Sequence, residues 1–184
     1  GLGVPVDMIA PSHGVIWRKD PLQIVTAYQQ WARQEPARSA VILYATMWEG
    51  TRRMADAIGT GLAKAGVPYR ILNMATTDRN DAITEVFKAK AVIVGSPTVN
   101  RGPLATIMPV LEDMRGLRFR NRIGAAFGSF GWSGEANDRI FQTMKNIFKM
   151  NMVADCLRLK TSSLGGGVQM AQDYGRQLAK QLSA

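Results

Sequence analysis

The strongest constraint on the fold comes from short, uninterrupted apolar runs that alternate with segments of helical spacing. The run SAVILYA at 39–45 has the length of a strand, and AVIVG at 91–95 is β-branched and unbroken. A run of the second kind is typical of a strand buried on both faces of a parallel sheet. Between these runs, residues 51–65 have apolar positions at helical spacing, and Gly66 suits the end of that helix. The pattern indicates strands connected by helices.

The rest of the chain repeats this alternation of strands and helices. Five strand–helix units in succession predict an α/β fold, with a five-stranded parallel sheet and helices on both faces. Pro103 suits the first turn of one helix, and the glycines at 165–167 are interpreted as a short linker or cap. The remaining predicted strands are 69–74, 122–129 and 153–160, and the remaining helices are 80–88, 103–114, 134–149 and 167–182.

Composition narrows the class of partner. The 184 residues suit one domain with a short appendage, and the net charge is +9 because 23 Lys and Arg face 14 Asp and Glu. The basic residues are scattered, and the densest group, 115–122, has Phe119 as its one stacking aromatic, so nucleic acid is not expected. No apolar run reaches the length of a membrane span, and no signal peptide is visible. The single cysteine, Cys156, is interpreted as a buried structural thiol and fits a reducing cytoplasm.

Three loops that follow predicted strands carry the residues best suited to bind a ligand. They are TMWEGT at 46–51, SPTVNRG at 96–102 and SFGWSG at 129–134. In a parallel α/β sheet, ligands sit beyond the carboxyl ends of the strands, where the strand order reverses. The three loops are therefore expected to meet at one site.

The first loop predicts a phosphate site. It opens a helix, whose free N–H groups and dipole favour an anion, and Thr46 and Thr51 add hydroxyl donors. The GxxxxGK[ST] motif of nucleotide hydrolases is absent, and no GxGxxG follows a strand. A terminal monophosphate is therefore the expected anion. The alternative is that Thr46 merely caps the helix.

The other two loops indicate a flat ligand. They are rich in glycine, proline and small polar residues, which let backbone amides approach a planar group. Trp48 and Trp132 lie in two different loops, and either could cover an aromatic ring, although Trp48 alone could also be ordinary packing. A planar ligand with a phosphate and polar edges is flavin mononucleotide, FMN.

The segment from about Ser39 to the end resembles the flavodoxin-like domain of flavodiiron proteins, also called A-type flavoproteins. The motifs TMWEGTRRMADAI, VGSPTVNRGPL and GAAFGSFGWSGEA carry the resemblance and occur in the expected order. The resemblance implies FMN as the cofactor, with its phosphate bound by Thr46, Met47, Trp48, Gly50 and Thr51. It implies contacts to the isoalloxazine ring from Pro97, Thr98, Val99, Asn100, Gly102, Ser129, Phe130, Gly131, Trp132 and Gly134.

Two residues depart from the family pattern. Glu49 occupies a phosphate-loop position that is more often uncharged, so its carboxylate is expected to point to solvent with Arg52 and Arg53 nearby. Arg101 stands where asparagine is commoner. A cation beside the flavin would stabilise the reduced, anionic form and raise its potential.

Residues 1–36 resemble the end of the metallo-β-lactamase-like diiron domain that precedes the flavin domain in these proteins, and 37–184 form the flavodoxin-like domain. In that pattern His13, in PSHG, is an iron ligand, and 20–33 form a connecting helix. The chain has one histidine and lacks the HxExD-type cluster, so a diiron centre is expected only in the full-length enzyme. Residues 1–36 are therefore interpreted as a remnant of that domain.

The resemblance implies that FMN takes electrons from a rubredoxin-like donor or a reductase, and the net charge of +9 predicts that this donor is acidic. FMN then passes them to a diiron site that reduces dioxygen or nitric oxide. No residue of this chain need act as an acid or base, so no catalytic residue is predicted. The full-length protein is expected to be a cytoplasmic homo-oligomer. Two alternatives stay open: a free-standing NAD(P)H:quinone oxidoreductase with this fold, and a basic interaction module without a cofactor.

Overall fold

The computed structural model describes residues 5–153, 155–161 and 164–183, and the chain forms two compact units, Gly1–Glu35 and Pro36–Ala184. The first unit contains helix α1, Pro21–Arg33, which matches the predicted helix 20–33. Pro21 occupies its first turn, where a missing N–H costs nothing. In the described part of this unit, Ile9 and Trp17 form an isolated antiparallel bridge.

The second unit alternates strands and helices, as predicted. The alternation is interrupted after the third strand, which is followed by a short two-stranded hairpin before the next helix. The elements in chain order are β1 Ala37–Tyr44, α2 Gly50–Lys64, β2 Tyr69–Asn73, α3 Arg79–Lys88, β3 Ala89–Gly95, β4 Thr98–Val99, β5 Gly102–Pro103, the 3-10 turn Ala105–Ile107, α4 Met108–Leu117, β6 Ile123–Phe130, α5 Glu135–Gln142, the π-turn Thr143–Ile147, β7 Asn151–Met152, β8 Leu157–Lys160 and α6 Leu164–Gln181.

The main sheet has the order β2-β1-β3-β6, and β7 and β8 share the position beyond β6. All of its strand pairs are parallel. The sheet therefore has five positions, which confirms the predicted flavodoxin-like architecture. The chain crosses from β2 over β1 to β3, so the strand order reverses between β1 and β3. This switch point is where ligands bind in doubly wound sheets.

Two apolar clusters cover the two faces of the sheet. Ile42 and Ile93 belong to a cluster that also contains buried residues of α2 and α6. Val41 and Val92, the neighbouring residues on the same two strands, belong to the cluster under α3, α4 and α5. Successive side chains of a strand point to opposite faces, so a strand covered on both faces needs an apolar residue at every position. Burial on both faces of the sheet therefore explains the unbroken apolar runs of β1 and β3.

The predicted helix 103–114 is wrong at its start. Gly102 and Pro103 form β5, which pairs antiparallel with β4, and α4 begins only at Met108 with Pro109 in its first turn. The N–H of Leu104 donates to the Ser96 Oγ over 2.8 Å, which holds the hairpin against the end of β3. The helical spacing of apolar residues does not reveal this hairpin, because the hydrogen bonds of the hairpin join residues on either side of a two-residue turn.

The C-terminal elements also differ from the prediction. Of the predicted strand 153–160, the structure shows 157–160 as a strand, β8, while the two-residue strand β7 precedes the predicted range and residue 154 lies outside the described part. The predicted helix 134–149 is α5 followed by the π-turn. The glycines at 165–167 lie inside α6 and not in a linker. Gly167 has a packing reason, since a Cβ there would lie 2.4 Å from the Leu159 side chain of β8.

Cys156 is partly buried and packs against the cluster under α3, α4 and α5. Burial, with a smaller contribution from the Asp138 carboxylate, raises the pKa of its thiol to about 12. The thiol therefore stays protonated at neutral pH and lacks the thiolate character of a reactive cysteine. This agrees with the structural role predicted from the sequence.

Candidate functional site

A cavity of about 210 Å³ lies at the carboxyl edge of the sheet, beyond the ends of β1, β3 and β6. We call it the cofactor cavity. All three predicted loops contribute to it, and of its lining residues Thr161 alone was not predicted. The lining residues are Thr46, Met47, Trp48, Gly50, Thr51, Pro97, Thr98, Ser129, Phe130, Gly131 and Thr161.

The other predicted site residues lie beside the cavity without lining it. Val99, Asn100 and Gly102 belong to the β4–β5 hairpin, and Trp132 and Gly134 precede α5. The hairpin turn consists of Asn100 and Arg101, whose φ angles are 49° and 59°. Positive φ at both central residues is characteristic of a type I′ turn. Asparagine tolerates this conformation, but arginine adopts it at a cost of about 1 kcal/mol.

Thr46 has a buried hydroxyl without a partner. Its Oγ1 makes no hydrogen bond to any described residue, although it is shielded from solvent. An unsatisfied buried hydroxyl costs about 1–3 kcal/mol. The alternative that Thr46 caps a helix is wrong, because the N-cap of α2 is Glu49. The hydroxyl of Thr46 is therefore available to form a hydrogen bond with a ligand atom in the cofactor cavity.

The hydroxyl of Thr51 has an internal partner instead. Thr51 Oγ1 and Ser129 Oγ lie 3.1 Å apart, and either can donate. Both residues are buried, Thr51 at the first turn of α2 and Ser129 in β6. This hydrogen bond ties the first loop to the third. Because its hydroxyl already has a partner within the protein, Thr51 is a weaker candidate than Thr46 for a hydrogen bond to the ligand.

Glu49 lies where the sequence predicted. Its side chain is 53% exposed and pairs with Arg52 at 2.9 Å. Glu49 also has a φ of 59°, which turns the chain sharply into α2. The pairing with Arg52 offsets the negative charge beside the phosphate loop, so the carboxylate does not oppose an anion at the start of α2.

Two indoles stand exposed at this edge of the sheet. Trp48 is 83% exposed and Trp132 is 97% exposed. The alternative that Trp48 is ordinary core packing is therefore wrong. Side chains this exposed do not pack in the core, and exposed aromatic groups are often found at binding surfaces. Both can cover a planar group that sits in or above the cofactor cavity.

Residues 42–181 match the family model described as Flavodoxin. This chain belongs to the flavodoxin family. It is 38% identical over 183 residues to the nitric oxide reductase of Moorella thermoacetica, a match that covers 99% of this chain and 46% of that protein. It is 41% identical over 184 residues to the anaerobic nitric oxide reductase flavorubredoxin of Escherichia coli, covering 98% of this chain and 38% of that one.

Among solved structures, the rubredoxin oxygen:oxidoreductase of Desulfovibrio gigas superposes with a TM-score of 0.88 at 32% identity. That match covers 99% of this chain and 46% of the other. The chain thus spans less than half the length of these relatives. It corresponds to the flavodoxin-like part of flavodiiron proteins.

Flavodoxin domains bind FMN, and the residues present in this flavodoxin-family domain fit that cofactor. The unpartnered Thr46 hydroxyl and the first-turn amides of α2 suit a terminal phosphate. The cavity continues from this helix start to the ends of β3 and β6. The hydrogen-bonding groups and the aromatic surfaces thus lie on loops of the same edge.

Two buried residues of this flavodoxin-family domain hold the loops in place, and the sequence reading missed both. The side-chain amide of Asn137 donates to the carbonyl oxygens of Ser96 and Phe127, both at 2.9 Å, an orientation required because both partners are acceptors. Gly128 permits this contact, since a Cβ there would lie 2.0 Å from the Ser96 carbonyl. Asn137 is buried in α5 together with Ala136 and Ile140, and a polar residue beside apolar ones in a predicted helix was the available signal.

The carboxyl group of Glu135 lies in the first turn of α5, next to the third loop. The pKa of the Glu135 carboxyl is lowered, first by a hydrogen bond from Ser133 and then by its own backbone N–H, with Arg101 and Arg139 adding to the effect.

The remaining prediction, His13, lies in the first unit and is exposed. Within residues 5–153, 155–161 and 164–183, no three His, Cys, Asp or Glu side chains converge to hold a metal. The role of His13 as an iron ligand stays a prediction. No helix in the described part of the chain is long and apolar enough to cross a bilayer.

Proposed function

We propose that residues 37–184 are the FMN-binding electron-transfer domain of a flavodiiron protein. The observation that carries this proposal is the buried, unpartnered Thr46 hydroxyl beside the first turn of α2, inside a cavity formed by all three loops. When bound, FMN supplies reversible redox chemistry that amino-acid side chains lack. The residues of this chain bind the cofactor, orient it and shield it.

Each group has a defined task in this proposal. Thr46 and the amides at the start of α2 hold the phosphate, and the helix dipole favours its negative charge. The Thr51–Ser129 hydrogen bond keeps the first and third loops together. Trp48 and Trp132 cover the ring and exclude water. No proton transfer by a side chain of this chain is required.

The first test separates this function from a quinone reductase. Cofactor released by heating should be FMN and not FAD, because the loop offers a monophosphate site without an adenine-binding unit. Rapid mixing with NADH or NADPH should reduce the flavin slowly, whereas a reduced rubredoxin should reduce it rapidly. FAD in the extract would overturn the cofactor assignment. Fast reduction by NADPH would instead favour the quinone reductase, which the family relationships disfavour.

For the whole protein, we propose that the electrons leave FMN for a diiron site outside this chain. The relatives are named nitric oxide reductase and rubredoxin oxygen:oxidoreductase, so nitric oxide and dioxygen are the proposed final acceptors. Residues 1–36 are the proposed end of the diiron domain, with His13 as an iron ligand of the complete enzyme. We also propose that the full-length protein is a homo-oligomer. The single thiol of this chain fits a reducing compartment, so we propose that the protein works in the cytoplasm.

The proposed donor is an acidic, rubredoxin-like protein or a reductase. A net charge of +9 accelerates encounter with a negatively charged partner, and salt screens that attraction. The rate of flavin reduction should fall by about tenfold between roughly 0.05 and 0.5 M salt, over which the Debye length shrinks about threefold. Stopped-flow absorbance measures it.

A matched pair of variants locates the encounter surface. Arg101→Gln should slow the reaction at low salt and leave it unchanged at high salt, because Arg101 lies in the exposed hairpin turn beside the cofactor cavity. Lys64→Gln removes the same charge at the far end of α2 and should have little effect. A rate that is indifferent to salt would contradict an acidic donor.

A further inference from the structure

A second cavity, of about 360 Å³, lies at the amino edge of the sheet, opposite the cofactor cavity. We call it the amino-edge cavity. The starts of β3, β6 and β7 and the end of α6 surround it. Its lining residues are Lys90, Asn121, Arg122, Ile123, Lys149, Asn151 and Gln181.

Three cations line the amino-edge cavity, and no carboxylate is among its lining residues. Burial and the charge of Arg122 lower the pKa of Lys90. Burial lowers the pKa of Arg122 to about 10. Both directions show that these positive charges are held in a place that disfavours them. An anion in the cavity would relieve that cost.

Arg122 is fixed in place by the backbone. It is 3% exposed, and its guanidinium donates to the carbonyl oxygens of Phe87 at 3.0 Å and Arg120 at 2.8 Å. A weaker hydrogen bond reaches the Val86 carbonyl at 3.4 Å. Val86 and Phe87 lie in the last turn of α3, where free carbonyls favour a cation. Capping α3 thus explains why an arginine is buried here, but it does not explain the two lysines.

The two lysines differ in what holds them. The Lys90 Nζ donates to the Asn121 Oδ1, which orients it at the cavity wall. Lys149 also lines the cavity and is exposed, and its side chain makes no hydrogen bond or ion pair with any described residue. An ammonium group has three donors, so both lysines can still donate to a ligand.

We propose that the amino-edge cavity binds a small oxyanion with at least two negative charges, such as inorganic phosphate or the phosphoryl group of a small metabolite. The buried Arg122 supplies fixed charge, and Lys90 and Lys149 supply charge-assisted donors. Asn121 and Gln181, which both carry side-chain amides, also line the cavity. The cavity volume falls in the range of small-molecule sites, which leaves room for more than a bare phosphate.

The test uses the FMN-loaded protein, so that the phosphate site of the cofactor is already filled. The isotope-labelled protein is titrated with inorganic phosphate and, separately, with glycerol 3-phosphate, at constant ionic strength adjusted with sodium chloride. Saturable amide shifts should cluster at Lys90, Asn121 and Ile123, and the flavin spectrum should not change. Tighter binding of glycerol 3-phosphate would assign the site to a phosphorylated metabolite, and equal binding would assign it to phosphate itself.

Three lysine variants make the test specific. Lys90→Met and Lys149→Met should each weaken binding by about tenfold or more, the usual loss for a charge-assisted hydrogen bond. Because Lys149 is exposed, its substitution should leave the fold intact. Lys88→Met is the matched control, since Lys88 carries the same charge but pairs with Glu85 outside the cavity. It should bind phosphate as the wild type does.

Several results would overturn the proposal. One is a set of shifts spread over the surface without saturation, which would mean general screening. Another is binding that Lys90→Met and Lys149→Met leave unchanged. Binding of a poly-glutamate peptide but of neither phosphate compound would assign the cavity to an acidic polypeptide instead.

Discussion

Thr46→Val should weaken FMN binding by about tenfold to a hundredfold while leaving the apoprotein at least as stable as the wild type. The hydroxyl of Thr46 is buried without a partner in the described structure, so its removal breaks no internal hydrogen bond. Valine has nearly the same shape. A hydrogen bond to a charged group is worth about 1.5–3 kcal/mol, which gives the expected loss of affinity. Fluorescence titration measures the dissociation constant, and urea unfolding of the apoprotein measures stability.

Thr51→Val provides the contrast. Thr51 has the same hydroxyl in the same loop, but its Oγ1 lies 3.1 Å from the Ser129 Oγ. Its loss leaves a buried serine hydroxyl unpaired, so the apoprotein should lose about 1 kcal/mol or more of unfolding free energy. If Thr46→Val binds FMN like the wild type, the phosphate assignment is wrong. If it instead destabilises the apoprotein, Thr46 has a structural role that the hydrogen bonds do not show.

Gly175→Ala should lower the free energy of unfolding by about 3 kcal/mol or more, at the upper end of what overpacking costs. Helices α2 and α6 touch through glycines, and a Cβ on Gly175 would lie 2.2 Å from the carbonyl oxygen of Ile58 and 3.1 Å from the Cα of Gly61. These obstacles are backbone atoms, which cannot move aside as a flexible side chain does. The two helices must separate to admit the methyl group.

Gly166→Ala is the matched control in the same helix. A Cβ on Gly166 would meet nothing within 4 Å. The substitution should be neutral or should stabilise by up to about 1 kcal/mol, because alanine loses less conformational entropy than glycine on folding. Urea unfolding of both variants compares them directly. Equal stabilities would mean that α2 and α6 adjust their separation without cost, contrary to the close contact observed.

Some parts of the site could be predicted because their signal is local. The phosphate loop follows an apolar run and precedes a helix, so Thr46 and Thr51 could be placed from neighbouring residues alone. Their different roles could not be predicted. Ser129, the partner of Thr51, is 78 positions away along the chain, and which hydroxyl stays unpaired depends on that contact. Asn137 was missed for the same reason, since its carbonyl partners belong to two other segments.

The sequence by itself determined the parallel α/β sheet and the alternation of its main strands with helices. Strands buried on both faces must be apolar at every position, and connecting helices must carry an apolar stripe. Each of these patterns can be recognised within one short segment of the sequence. Only the tertiary structure decided the β4–β5 hairpin at Pro103, the short strand β7 ahead of β8, and the amino-edge cavity. Each of these depends on side chains from separate segments meeting in space, which hydrophobic periodicity within one segment does not encode.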